Sequence, residues 1–282
     1  MHGRLLDLPH ALPGREVSQV LALVLAVAGA VFLSGGCVLQ WLGHEANQHQ
    51  RRKGWKVSLE PLWIGGIAAS ALGTFLHYAA LWNGLLALVL PVSSLHIVFT
   101  ALAMGWLRKE AILGHRAAGI ALVAVGVVIC TLVESRVDGV DRFDPRGLPA
   151  FAALAVAVLA SGWFLMRPPQ ALSIGAGVSY AVSALAMKIG SIGSTLPAWT
   201  WMTVFVATYV AGFVCFQAGF RRGGAGMVNA VATGVSTAVA LAGAVWMLGE
   251  PVKPLTWVGA ALIATGVFLS GWRRSSRAQP EV

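Results

Sequence analysis

Nine stretches of this chain run for about 20 residues each with scarcely a charged side chain, the length an α-helix needs to cross the hydrocarbon core of a bilayer. They cover 17–39, 61–82, 84–107, 113–133, 147–166, 170–190, 198–220, 223–247 and 251–272. None alternates apolar with polar residues as the wall of a membrane barrel must. In lipid every backbone N–H and C=O needs a partner within the protein. The expected fold is therefore an all-α polytopic membrane protein with about nine transmembrane helices. Composition agrees: 11% of the 282 residues are charged, against about 25% in a soluble domain, and the mean hydropathy is +0.75. Trp41, Trp63, Trp82, Trp106, Trp199, Trp201, Trp246 and Trp272 all fall at or near an expected helix end, the headgroup level that indoles favour.

The first stretch is expected to be retained as a helix. Ala28-Gly29-Ala30 would pass as a signal-peptide cleavage site, but the leader mixes Arg4 and Arg15 with Asp7 and Glu16, and the apolar run continues to Leu39.

Orientation follows from the basic residues. Arg51, Arg52, Lys53, Lys56, Arg108, Lys109, Arg116, Arg167, Arg221, Arg222 and the tail residues Arg273, Arg274 and Arg277 fall on one side. Short positive loops stay in the cytoplasm. The expected layout thus has an external N-terminus and a cytoplasmic C-terminus in a plasma (inner) membrane. An N-terminal half of four helices occupies 1–133, an external loop 134–146, a C-terminal half of five helices 147–272 and a cytoplasmic tail 273–282. The net charge of +9 is then largely a topology signal, with no basic domain outside the membrane to hold nucleic acid. Membrane lipids, a small-molecule or ion substrate and a homodimer partner are the expected associations. Cys37, Cys130 and Cys215 lie within spans without zinc or disulfide spacing. Neither a cofactor nor a metal site is expected.

An internal repeat is the most informative pattern. Sliding 84–127 onto 224–267 without a gap pairs Gly84 with Gly224, Trp106 with Trp246, Glu110 with Glu250, Gly119 with Gly259 and Gly126 with Gly266. In the expected topology the two copies cross the membrane in opposite senses. Inverted repeats of this kind let one pattern form inward-open and outward-open states. Gly119 and Gly126 share one helix face, as do Gly259 and Gly266, and small residues there let helices approach closely. Glu110 and Glu250 sit at turns, where a carboxylate can cap the next helix N-terminus.

The two copies, LVLPVSSLHIVFTALAMGWLRKEAILGHRAAGIALVAVGVVIC and NAVATGVSTAVALAGAVWMLGEPVKPLTWVGAALIATGVFLSG, resemble the EamA-like repeats of the drug/metabolite transporter superfamily. With four plus five helices, the basic loop QHQRRKGWK and PLWIGGIAASALGTFLHYAAL leading into LPVSS, the layout is similar to the nine-helix NIPA-type magnesium-transporter branch. The resemblance implies a transporter of a metabolite, amino acid, drug-like compound or, in that branch, magnesium or another divalent cation.

No Asp or Glu lies inside a span, whereas magnesium favours hard oxygens including carboxylates. His96 is the sharpest candidate for the solute pathway, about 18 Å into its helix at 1.5 Å per residue and so near the midplane. Ser93 and Thr100 share its face. Pro91 removes a backbone donor one turn away and acts as a hinge. Asn229, Thr233 and Ser236 occupy the corresponding region of the second copy, with Tyr180 and His77 as further pathway candidates. Two rivals from other classes are an intramembrane serine hydrolase built on Ser236 and His96, and a membrane partner that transports nothing. The chain is not expected to be an enzyme.

Overall fold

The computed structural model describes residues 13–49, 60–109, 112, 114–134, 144–149, 152–153, 156, 168–192, 196–222 and 225–271. Most of the expected span 147–166 lies outside them, as do Glu110, Asp138, Asp141 and Trp272. The described residues form helices and turns with no strand. In chain order the helices are α1 (Pro13–His49), α2 (Pro61–Asn83), α3 (Leu86–Ser93), α4 (Leu95–Arg108), α5 (His115–Glu134), α6 (Pro169–Ile192), α7 (Ala198–Arg222), α8 (Ala225–Leu248) and α9 (Pro254–Gly271). With α3 and α4 taken as one span, seven segments are long and apolar enough to cross a bilayer, and α9 is apolar but shorter. The chain is an integral membrane protein of helical bundle type.

Lipid is as apolar as a leucine side chain, so helix association must come from close packing and polar contacts. Glycines supply the first. α1 and α2 run antiparallel with Gly29 against Gly73 and Gly36 against Gly66; a Cβ built on Gly73 would lie 2.9 Å from the Gly29 carbonyl oxygen. α5 and α9 make the same kind of seam. A Cβ on Gly119 would lie 2.6 Å from the Gly266 carbonyl oxygen, and one on Gly126 2.5 Å from that of Gly259. These are sub-van der Waals distances to backbone, so only glycine fits. The spacing read from sequence as a packing face is the seam itself.

α6 is the central helix. Its small residues, among them Ser173, Gly177, Ala181, Ser183 and Ala184, are buried on nearly every side, with α2, α7 and α8 packed around it. α7 lies at the periphery, exposing Trp199, Met202, Val206, Val210 and Val214. That three- and four-residue spacing marks a single apolar face for lipid.

The helices turn back sharply, bringing one set of ends together, here the upper end. There the α2–α3 turn meets the C-terminal ends of α6 and α8, and the C-terminus of α5 meets the N-terminus of α9. Three charged side chains are buried at that end, and each serves a helix terminus in the other half of the chain. The Glu250 carboxylate accepts from the Leu86 N–H at 3.0 Å and the Ala87 N–H at 2.9 Å. Lys188 Nζ donates to the Gly84 carbonyl at 2.9 Å and the Leu81 carbonyl at 3.4 Å. The Glu134 carboxylate accepts from the Thr256 hydroxyl and from the Lys253 N–H at the start of α9.

Glu250 thus caps a helix N-terminus, but that of α3, which precedes it by more than half the chain, and not the next helix in sequence. Gly249 aims it there. With φ of 60° Gly249 ends α8 in the left-handed region, and the Glu250 N–H bonds back to the Ala244 carbonyl at 3.0 Å, which folds the chain back over the last turn of the helix. Lys109 ends α4 in the same way with φ of 53°. Glu110, the residue after it, is outside the described set.

Candidate functional site

A cavity of ≈ 150 Å³ lies in the middle of the bundle. Its walls come from α1 to α4 and from α6 to α8, while α5 and α9 contribute no side chain. His96, Ser93, His77, Tyr180, Asn229, Thr233 and Ser236 all line it. Thr100 does not; its hydroxyl donates to the His96 carbonyl at 2.6 Å and to Ser34 Oγ at 3.2 Å.

The helix break that frames His96 falls at Ser94. Pro91 lies within α3, and the interruption follows three residues later, where the Ser94 N–H reaches the Pro91 carbonyl at 3.0 Å and the Leu90 carbonyl at 3.3 Å. A proline obstructs the preceding turn and has no N–H to give. The strain is relieved by one tight turn, after which α4 resumes with His96 in its first turn.

His96 joins the two halves. Its Nδ1 lies 2.7 Å from the Ser93 carbonyl oxygen, which can only accept, so Nδ1 carries the proton. Its Nε2 lies 3.1 Å from Asn229 Oδ1 and 3.2 Å from Thr233 Oγ1. In a neutral ring Nε2 is then an acceptor, taking the Thr233 hydroxyl proton and, with the amide turned over, an Asn229 N–H. A doubly protonated ring instead donates to both oxygens.

A second chain of polar groups runs beside the first. Ser93 Oγ donates to the Val89 carbonyl at 3.0 Å and lies 2.5 Å from His77 Nδ1. When the hydroxyl proton goes to Val89, Nδ1 donates to Ser93 and the lone pair is left on His77 Nε2; when it goes to Nδ1, His77 Nε2 carries the ring proton. Toward the other end of the cavity, Gln40 Nε2 donates to Ser70 Oγ at 2.8 Å and to the Gly66 carbonyl at 3.2 Å. Its own Oε1 accepts from Gln217 at 2.5 Å. Thr74 and Tyr209 share a bond of 2.8 Å, as do Tyr78 and Ser183.

Among the described residues the lining atoms without a hydrogen-bond partner include His77 Nε2, Asn229 Nδ2 and the hydroxyls of Tyr180 and Ser236. Aromatic rings form one wall, with Tyr180 5.5 Å from Tyr209 and 6.2 Å from Phe216 between centroids. Among the described residues no Asp, Glu, Lys or Arg lines the cavity, and no cluster of three metal-ligating side chains occurs.

Sequence reasoning missed Gln40, Ser70, Thr74, Tyr209 and Phe216. Gln40 and Thr74 were findable, because a lone amide or hydroxyl in an apolar span is expensive unless it meets a partner. Tyr209 and Phe216 carried no signal that separates them from packing residues. No family model, curated protein or solved structure matches the chain.

Proposed function

We propose that the protein is a transporter of a small organic solute that works by alternating access, with the central cavity as its binding site. One observation carries this reading: a central cavity is lined from both halves, and in its wall His96 of one half is bonded to Asn229 and Thr233 of the other. A solute bound there would touch both halves at once, which is what coupling occupancy to their relative motion requires.

Two features support an inverted repeat. The 140-residue offset pairs Gly119 with Gly259 and Gly126 with Gly266, while the seam joins Gly119 to Gly266 and Gly126 to Gly259. Exchanging the two copies therefore turns each contact into the other. Lys109 and Gly249, also one offset apart, share the left-handed conformation. A drug/metabolite transporter-like layout of nine helices, with N-terminus outside and the upper end external, fits these features and the basic loops.

The magnesium reading is the weaker one, because the cavity offers hydroxyls, amides and imidazoles but no carboxylate, the ligand this hard cation favours. A serine hydrolase is weaker still. The His96 nitrogens are engaged by Ser93, Asn229 and Thr233, which leaves none to activate Ser236.

The test is a thermal-stability screen of purified protein against organic solutes and Mg²⁺, followed by flux measurements in proteoliposomes. An organic solute should raise Tm by mass action and cross the membrane saturably, with His96→Ala weakening both at least tenfold while the unliganded Tm is kept. A selective Mg²⁺ response would establish the ion reading instead. Binding without flux would mark a membrane protein that senses but does not transport.

A further inference from the structure

We propose that the cavity takes an uncharged, single-ring organic solute that bears both a hydrogen-bond donor and an acceptor, a class that rests on the central-site reading above. Size sets the first limit. Apolar cavities of about 150 Å³ hold one benzene-sized ring, and this one measures ≈ 150 Å³. Chemistry of the wall sets the second. Tyr180, Tyr209 and Phe216 present ring surface on one side, which favours a flat partner. The unpartnered polar groups set the third. His77 Nε2 offers a lone pair or an N–H according to its tautomer, and the Tyr180 and Ser236 hydroxyls rotate to meet either kind of atom. Charge sets the last: with no ionic side chain in the lining, a solute carrying net charge would leave water without compensation.

Benzamide, benzoate and benzamidine have nearly one shape and three different charges, and they make the test. Benzamide should stabilise the purified protein in a saturable way, at least tenfold more tightly than either ion, with Tyr180→Phe and Ser236→Ala each weakening it several-fold. Equal or tighter binding of an ion, or no binding of benzamide, would overturn the proposed class. The central-site reading survives that result as long as His96→Ala weakens whichever solute does bind. Binding indifferent to His96 would overturn both.

A second inference rests on the upper end alone. We infer that Glu250 and Lys188 form the latch that holds this end closed. Both are 3% exposed, and both come from the second half to grip the same turn of the first. Lys188 meets the carbonyls that end α2, and Glu250 meets the N–H groups that begin α3. Each charge faces the helix end of opposite polarity, and each is costly to bury without that partner. Opening the upper end must separate the second half from the α2–α3 turn and break both grips, so the pair biases the closed state. The left-handed Gly249 fixes Glu250 in reach.

The experiment places spin-label pairs in the full chain, with its three cysteines replaced, in lipid nanodiscs. One pair, at the exposed positions Trp82 and Pro251, reports the upper end; the other, at Leu107 and Phe220, reports the lower. Glu250→Gln and Lys188→Met should each raise the population with a long upper distance about tenfold and shorten the lower distance in step. Loosened packing would broaden both distances without that opposed movement, and would overturn the latch. So would distances unchanged by either substitution. If solute still moves the two ends oppositely in those variants, alternating access stands while the latch falls; if nothing moves either end, both fall.

Discussion

Single residues in this protein are held to unusual conformations where the chain must reverse inside a crowded bundle. Lys109 is the only non-glycine residue with positive φ among those described, and an L-residue in that region costs about 1–2 kcal/mol. Its counterpart at the 140-residue offset, Gly249, sits there without penalty. Lys109→Gly is therefore expected to stabilise the fold by up to about 1 kcal/mol, since added freedom in the unfolded chain offsets part of the gain. Reversible unfolding in mixed micelles measures it, and a loss of stability would mean that the Lys109 side chain contributes more than its backbone costs. The same residue scale explains what the sequence showed of the site. His96 stood out because imidazole in an apolar run needs partners, and Asn229 and Thr233 because they occupy the matching stretch of the repeat. Thr100 had equal claim by spacing, yet its hydroxyl bonds its own helix and Ser34, since spacing fixes a face and not which neighbour that face meets.

Between elements, backbone contact decides the packing. Where α5 crosses α9 a β-carbon on Gly126 would stand 2.5 Å from a carbonyl oxygen, and no rotamer change relieves a clash with backbone. Gly126→Leu should lower stability by about 1–3 kcal/mol or more, as overpacking does, or block folding outright; retained Tm and expression would show that the seam can part without loss. A glycine repeat at two-turn spacing made each packing face legible in advance, but not that the two faces meet each other. The capping of α3 by Glu250 was legible only in kind. A Glu after a left-handed turn announces a cap, but the helix it reaches is set by tertiary neighbours more than 160 residues away. Glu134 and Gln40 gave less warning still, because one lies at a span boundary and the other reads as a stray polar residue until Ser70 and Gln217 are placed beside it.

At the scale of the whole molecule, hydropathy alone gave the helical membrane architecture, because the bilayer leaves few alternatives. The number of spans is where its reach ends: α9 is apolar yet short for a bilayer, and the 147–166 stretch is largely outside the described residues. By the positive-inside rule the loops that carry Arg51–Lys56 and Arg108–Lys109 are predicted to face the cytoplasm. Reporter fusions test it: a fluorescent protein at the C-terminus should be bright, and alkaline phosphatase joined after Asn83 should be active. The reverse pattern would invert the protein and make the latched end cytoplasmic.

The cavity takes nothing from α5 or α9, and this separates two kinds of inheritance. Substitutions along the α5–α9 glycine seam are tested only by whether the chain folds, those in the cavity lining, in the proposed transporter, by what it recognises. In the proposed transporter a change of solute can therefore accumulate through Ser, Thr, Tyr and His positions of the lining without disturbing the α5–α9 seam. A library confined to the lining should yield folded proteins with altered preferences, while one of equal size on the seam should yield mostly protein that never reaches the membrane intact.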